Sequence, residues 1–215
     1  KQYIRDFTYV FLKDDRIGII GQNGCGKTTL MKIIAGKLEP DSGKVTVGQT
    51  IKIGYYSQMI EDAEAKMNPE QRVIDYIRDA AEYVQTTEGS ISASQMLERF
   101  LFTRDAQYAP LGKLSGGEKR RLNLLRVLME APNVLILDEP TNELDITTLT
   151  VLEDFLDHFQ GIVIMVSHDR YFLDRTASRI FAFQPDGTLR QFEGGYTDYE
   201  LQMEEEGSVN PLFQM

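Results

Sequence analysis

The chain has 215 residues, 42% of them hydrophobic, with a formal charge of −10 and a single cysteine. Length and apolar content fit one globular domain with its own core, and no apolar run approaches the roughly 20 residues that span a bilayer. The acidic balance speaks against a broad nucleic-acid-binding face, which needs clustered cations. A lone Cys25 excludes an internal disulfide and no signal peptide is visible, so a reducing, cytoplasmic setting is expected.

Lys27 lies so close to the first residue that only one strand, about Ile4 to Leu12, fits ahead of the next apolar run. The abrupt start reads as a piece of something longer. Arg16-Ile17-Gly18-Ile19-Ile20 is expected to be a buried strand, and Thr29-Leu30-Met31-Lys32-Ile33-Ile34-Ala35 has helical spacing that stops at Gly36. Between them, Gly21-Gln22-Asn23-Gly24-Cys25-Gly26-Lys27-Thr28 matches Gly-x4-Gly-Lys-Thr, the phosphate-cradling loop. Its glycines let the backbone wrap a phosphate chain with N–H groups inward, and the helix start adds a positive dipole end. In such a loop Lys27 reaches the β- and γ-phosphates and the Thr28 hydroxyl holds Mg²⁺, with Thr29 next in the helix.

Further on, Lys44-Val45-Thr46-Val47 and Ile51-Lys52-Ile53, separated by Gly48, predict a hairpin leading into Tyr55-Tyr56-Ser57-Gln58. From about Pro69 to Phe102 the pattern is helical. Val73, Ile74, Ile77, Ala81 and Val84 share one face, and a second helix after Ser92 turns Met96, Leu97, Phe100 and Leu101 inward. Ser115 followed three residues later by Glu118 forms a capping box at a helix start, worth about 1 kcal/mol. Gly116 and Gly117 bare the N–H groups of that start, an anion site that no side chain blocks. Two unbroken apolar runs, Val134-Leu135-Ile136-Leu137 before Asp138-Glu139 and Ile162 to Val166 before Ser167-His168, read as strands covered on both faces of a parallel sheet. Ligands in such sheets sit beyond the carboxyl ends of the strands, so Asp138, Glu139 and His168 should gather near Lys27. His158 has no motif around it and reads as a surface residue. Met203 to Met215 shows no period and reads as a tail.

The phosphate loop, Leu114-Ser115-Gly116-Gly117-Glu118, Leu137-Asp138-Glu139-Pro140-Thr141-Asn142 and Ser167-His168-Asp169 together resemble the ATP-binding cassette (ABC) ATPases over nearly the whole chain. The stretches Asp138 to Asp145, Ser167 to Asp174 and Glu193-Gly194-Gly195-Tyr196 are similar to the ABC-F proteins, which carry two cassettes in one chain and no membrane domains. The Gly-Cys-Gly loop and the Gly-Gly-Tyr segment look most like the second cassette of the Uup-type subgroup. Glu143 stands where ABC-F proteins usually have histidine.

The resemblance implies a P-loop α/β fold with a mainly parallel core sheet, a small antiparallel β part and an inserted helical subdomain. The core would span about 1–58 and 114–206, the helical insertion 59–113 and a tail 207–215. It also implies an ATPase in which Gly21, Gln22, Asn23, Gly24, Cys25, Gly26, Lys27, Thr28 and Thr29 bind the phosphates and Thr28, Gln58 and Asp138 hold Mg²⁺. Glu139 would be the general base and His168 the γ-phosphate sensor, while Ser115, Gly116, Gly117, Glu118 and Asp145 would serve the nucleotide of a partner cassette. Such residue types fit phosphoryl transfer, which needs positioning and charge stabilisation more than covalent help.

Three functions follow for weighing: an ABC-F ATPase acting on ribosomes or another nucleoprotein, the energy-supplying subunit of a membrane transporter, and a nucleotide-gated scaffold without useful turnover. Asn142 and Arg170-Tyr171-Phe172 favour the first, and Glu139 together with His168 argues against the third. Turnover by a lone cassette should be slow, because each site needs Ser115-Gly116-Gly117 from a partner. The aromatic residue on which ABC ATPases usually stack adenine would fall before Lys1, so nucleotide affinity should be weakened and base selectivity small. Tyr3, Phe7, Tyr9 and Phe11 are expected to pack in the sheet. Cys25, near Lys27 and a helix N-terminus, should favour its thiolate; its alkylation is expected to block nucleotide binding, and ATP to protect it.

Overall fold

The computed structural model describes residues 2–57, 67–86 and 89–207. The first strand, β1 (Arg16–Ile20), is the apolar run before the phosphate loop, and α1 (Lys27–Ile34) follows the loop and ends as expected before Gly36, whose φ is +68°. Next come β2 (Ile53–Tyr56), α2 (Val73–Arg78), the strand pair β3 (Tyr83–Thr86) and β4 (Gly89–Ser92), α3 (Ala93–Arg99) and α4 (Arg104–Tyr108). A single 3₁₀ turn, Leu111–Lys113, leads to the 14-residue α5 (Gly116–Met129) and then β5 (Val134–Asp138). The chain closes with α6 (Pro140–Glu143), α7 (Ile146–His158), β6 (Ile162–Val166), α8 (Arg170–Thr176), β7 (Arg179–Phe183), β8 (Leu189–Glu193) and α9 (Tyr196–Glu205).

Among the described residues, six strands form the main sheet in the order β2-β5-β6-β1-β7-β8; all neighbours are parallel except β8, which pairs antiparallel with β7. The unbroken apolar runs are explained by what covers them. Along β5, Leu135 and Leu137 join one core cluster with Leu122, Leu125 and Leu128 of α5, while Val134 and Ile136 join another with Leu30, Met31 and Ile34 of α1. Side chains alternate across a strand, so a strand covered on both faces is apolar at every position. Each such leucine or isoleucine contributes about 1.5–3 kcal/mol by burial. Gly18 is needed in the middle of β1, since a Cβ there would lie 2.8 Å from both Ile180 Cδ1 and Leu173 Cδ2.

Residues 4–12 are not a strand. β7 already has β1 on one side and β8 on the other, and Asp6 at φ +50° interrupts extended backbone. The segment instead lays its aromatic rings over the sheet: Phe7 and Tyr9 meet Phe181 edge-on at 5.8 and 4.9 Å, and Phe11 packs on Tyr9 at 4.9 Å. The expected hairpin over residues 44–53 is also absent. The Lys52 carbonyl accepts from the Asn133 and Val134 amides, so β2 finds its ladder on distant β5 and not on its sequence neighbour. The small antiparallel sheet lies instead at β3–β4, where Val84 faces Ile91. Val84 is therefore buried, as its pattern implied, but in a strand and not on the face of a helix that ends at Arg78. The Ser92 capping box with Gln95 starts α3, and Met96, Leu97 and Phe100 turn inward. Leu101 points outward, 43% exposed at φ +65°, because the chain leaves the helix there and hands the buried position to Phe102. His158 is exposed at the end of α7, its Nδ1 2.9 Å from the Asp154 carbonyl.

Candidate functional site

Adjacent strands decide which residues meet. β6 lies between β1 and β5, and the pairings Ile19↔Val166 and Asp138↔Val166 bring the carboxyl ends of all three level. The loop after β1, the Asp138-Glu139 pair after β5 and Ser167-His168 after β6 therefore open on one edge.

In the loop after β1, Gly24 and Gly26 have φ of +75° and +119°, values that L side chains rarely adopt, and nothing lies within 4 Å of where a Gly24 Cβ would be. Gln22, Asn23 and Gly24 face solvent, and Cys25 is half-buried, its Sγ 2.8 Å from where a Gly21 Cβ would stand. Gly26 precedes the first turn of α1, where Lys27 is buried, Thr28 exposed and Thr29 half-buried. The Lys27 ammonium donates to the carbonyls of Gly21 at 2.8 Å and Gln22 at 3.2 Å. It is thus held in the concave side of its own loop, where a chain of phosphates would meet it.

At the end of β5, Asp138 and Glu139 are 2% and 6% exposed, a placement that carboxylates rarely occupy without charge or hydrogen-bond partners. Asp138 accepts from the Thr28 hydroxyl at Oδ1 (3.4 Å) and from the Tyr55 hydroxyl at Oδ2 (3.2 Å). Burial pushes its pKa up, against those hydrogen bonds and the charges of Lys32 and Lys27. Glu139 adopts a left-handed backbone, φ +54° and ψ +51°, as N-cap of α6, and its amide donates to the Val166 carbonyl at 2.9 Å. Its Oε1 stands 3.2 Å from His168 Nε2, whereas its Oε2 is buried and has no hydrogen-bond partner among the described residues. Burial raises the Glu139 pKa, opposed by Lys27 and reinforced by Asp138. Burial and the Lys27 charge lower that of His168, which favours the neutral imidazole over an ion pair with Glu139. Beneath the pair, the Thr141 and Ser167 hydroxyls share a 2.8 Å bond, and Ser167 Oγ also accepts from the Asp169 amide at 3.0 Å.

The site thus joins a cation on a glycine loop, a carboxylate with one oxygen unpartnered among the described residues, an imidazole whose neutral form is favoured, and a paired threonine hydroxyl and aspartate. Thr28 and Asp138 fit a hard divalent cation, since both offer oxygen at the open end of the loop. Gln58, expected to complete that set, lies outside the described residues. Ser115, Gly116, Gly117 and Glu118 start α5 with the predicted capping box: Ser115 N–H donates to Glu118 Oε2 at 2.8 Å, and Glu118 N–H to Ser115 Oγ at 3.3 Å. Among the described residues, nothing beyond the chain neighbours and the helix's own backbone lies within 4 Å of a Cβ at either glycine, which leaves this helix start open on the surface. Asp145 caps α7 through the Thr148 amide (2.9 Å) and hydroxyl (2.9 Å), and Arg121 acts electrostatically on both Glu118 and Asp145.

Three contributors were not foreseen from the sequence. Tyr55, Thr141 and Ser167 reach the site only because β2, β5 and β6 are neighbours. Tyr3 also departs from expectation: Phe7, Tyr9 and Phe11 pack against the sheet, but Tyr3 is 42% exposed and its Cβ would lie 2.9 Å from a Cβ at Gly26.

Residues 4–142 match the ABC transporter family. Among curated relatives, the uncharacterized ABC transporter ATP-binding protein YfmR of Bacillus subtilis is 56% identical over 194 residues, 90% of this chain and 30% of its own length. ATP-binding protein Uup of Escherichia coli is 40% identical over 95% of this chain and 32% of its own. The energy-dependent translational throttle protein EttA of Escherichia coli is 39% identical over 92% of this chain and 35% of its own. The chain thus spans about a third of the length of these relatives. A dimeric, post-hydrolysis ATP-binding cassette bound to ADP and Pi shares the fold, with a TM-score of 0.67 at 20% identity over 89% of this chain and 90% of that one. The chain belongs to the ABC transporter family and is an ABC ATPase cassette like those of the ABC-F proteins.

Proposed function

We propose that this cassette binds ATP with Mg²⁺ and hydrolyses it at an interface between two cassettes, as part of a cytoplasmic ABC-F protein acting on ribosomes or another nucleoprotein. The observation that carries the catalytic part is the buried Glu139 Oε2, without a partner among the described residues and next to an oxygen that lies 3.2 Å from His168 Nε2. A carboxylate so placed is a base in need of a proton donor, and the phosphate loop supplies the place where an attacking water would stand.

In this reading the phosphates lie along the Gly21–Thr28 loop, and Lys27 turns from the Gly21 and Gln22 carbonyls to the β- and γ-oxygens. Glu139 accepts a hydrogen bond from the water, and takes its proton as oxygen attacks the γ-phosphorus. His168 holds Glu139 Oε1 and aligns the γ-phosphate. The bond from γ-phosphorus to the bridging oxygen breaks, giving ADP and phosphate, while Lys27 and the loop amides stabilise the charge. Thr28 and Asp138, with Gln58, would hold Mg²⁺, which supplies further neutralisation of the phosphate oxygens. Ser115, Gly116, Gly117, Glu118 and Asp145 face the nucleotide of the partner, which the open helix start of α5 supports.

We divide the chain into an α/β core, 1–58 and 114–206, and a helical part, 59–113; the main-sheet strands fall only in the former. The ribosomal target is supported by the likeness to a translational throttle protein. Function as the ATP-binding subunit of a membrane transporter is the second reading, favoured by the name of YfmR. Among the described residues no helix is long and apolar enough to cross a membrane, so that reading needs a membrane-domain partner, and recovery of one in a pull-down would establish it.

The test is ATP-dependent self-association of the Glu139→Gln variant by analytical ultracentrifugation, with Mg²⁺ omitted and then restored. Dimer formation on ATP addition is expected. If ATP binds and the variant stays monomeric, a site made from two copies of this chain is refuted, and a different first cassette must be the partner.

A further inference from the structure

Tyr55 is the described residue closest in role to the metal pair without belonging to any motif. It lies on β2 opposite Ile136 of β5, and the pleat places it on the same face as Asp138, two residues further along β5. Its hydroxyl donates to Asp138 Oδ2 at 3.2 Å, while Oδ1 faces the Thr28 hydroxyl at 3.4 Å. The ring is held from the other side by the Lys37 ammonium, 4.3 Å from its centroid, just past the end of α1. Packing does not account for the hydroxyl. A phenylalanine would fill the same half-buried place and give Lys37 the same π face; only the oxygen reaches the carboxylate.

We propose that Tyr55 is a positioning residue for the Mg²⁺ subsite, its hydroxyl fixing Asp138 Oδ2 so that Oδ1 is presented beside Thr28. The proposal rests on the reading of Asp138 and Thr28 as the metal-holding pair. A free carboxylate rotates about its last side-chain bond and offers either oxygen. Tethering one oxygen chooses which of them faces the cation and removes that rotational freedom before the metal arrives.

The experiment compares the protein with its Tyr55→Phe, Asp138→Asn and doubly substituted variants. Binding of a fluorescent ATP analogue is measured in EDTA and in excess Mg²⁺, and the ratio of the two Kd values gives the contribution of the metal. Asp138→Asn should abolish most of that ratio. Tyr55→Phe should reduce it by about tenfold, as loss of an outer-sphere partner of a metal ligand does. Its affinity in EDTA should stay unchanged, which also shows that the variant is folded. The double variant should be no worse than Asp138→Asn alone. If Tyr55→Phe leaves the ratio within about twofold of the unchanged protein, the Tyr55 role is overturned while the Asp138 reading stands. If it weakens binding equally with and without Mg²⁺, the hydroxyl serves structure and not the metal. If Asp138→Asn leaves the ratio unchanged, the metal pair itself is wrong and the Tyr55 role falls with it.

Discussion

The Thr141–Ser167 bond offers a quantitative test of how the loops that carry Glu139 and His168 are held together. Ser167 is 2% exposed, and its hydroxyl has two partners, Thr141 Oγ1 at 2.8 Å and the Asp169 amide at 3.0 Å. Thr141→Val removes the first and leaves the second, a loss of about 1 kcal/mol for one net hydrogen bond. Ser167→Ala removes both and leaves the Asp169 amide without that acceptor at the start of α8, about 2 kcal/mol. Once Ser167 Oγ is gone the threonine bond no longer exists, so the double variant should cost little more than Ser167→Ala, with a coupling of about 1 kcal/mol. Urea denaturation of the four proteins measures these differences, provided m is unchanged. Thr141 follows Glu139 by two residues and Ser167 precedes His168, so the same bond holds the 3.2 Å Glu139–His168 contact. Thr141→Val should therefore lower ATP turnover roughly three- to tenfold with nucleotide affinity unchanged. Strictly additive stabilities would show that the two hydroxyls act independently. Unchanged turnover would show that the link does not set the catalytic pair.

Glu139→Gln should lower turnover by about 10²–10⁴ while ATP still binds, and phosphate release under single-turnover conditions measures it. Because burial raises the folded-state pKa of Glu139, its charge is a cost at neutral pH that vanishes below the ordinary carboxylate range. The variant should therefore melt at or above the temperature of the unchanged protein at pH 7 and gain nothing at pH 4; a clear loss at pH 7 would contradict that. Glu118 has the opposite sign: hydrogen bonds from the Ser115 amide and hydroxyl hold it below the ordinary 4.5. Its stabilisation is full above that value and is lost as pH falls through the lower folded-state pKa, so Glu118→Gln should destabilise at pH 7 and converge with the unchanged protein once the pH is below the folded-state pKa; a pH-independent difference in chemical denaturation would refute the cap. Tyr3→Ala should weaken ATP and inosine triphosphate alike, roughly three- to tenfold, since the exposed ring beside Gly26 would stack on either base in place of an aromatic residue before Lys1. A loss confined to ATP in a binding titration would mean that the amino group and not stacking is read.

What was legible without coordinates is what depends on local chemistry. The glycine loop between β1 and α1, the Ser115–Glu118 capping box and the doubly covered strands β5 and β6 are set by backbone permissiveness, short-range hydrogen bonding and side-chain alternation. Where a segment had to choose between a near and a distant partner, local reading failed. Residues 44–53 look like a hairpin, yet the bonds of Lys52 go to Asn133, and residues 4–12 look like a strand, yet every edge beside β7 is already taken. Val84 shows a third case, since a short apolar run is equally at home on a helix face or in a strand.

The candidate site divides along the same line. Lys27, Thr28, Asp138, Glu139 and His168 could be named from the chain because each sits at the end of an apolar strand run or in the loop that follows one. Their separations, the burial of Glu139 beside His168, and the positions of Tyr55, Thr141 and Ser167 were decided only by the strand order β2-β5-β6-β1. Sequence patterns record how each segment meets water and its own backbone. Which strand lies beside which is a property of the whole sheet, and hydrogen bonds between side chains 26 to 110 residues apart exist only once that order is fixed.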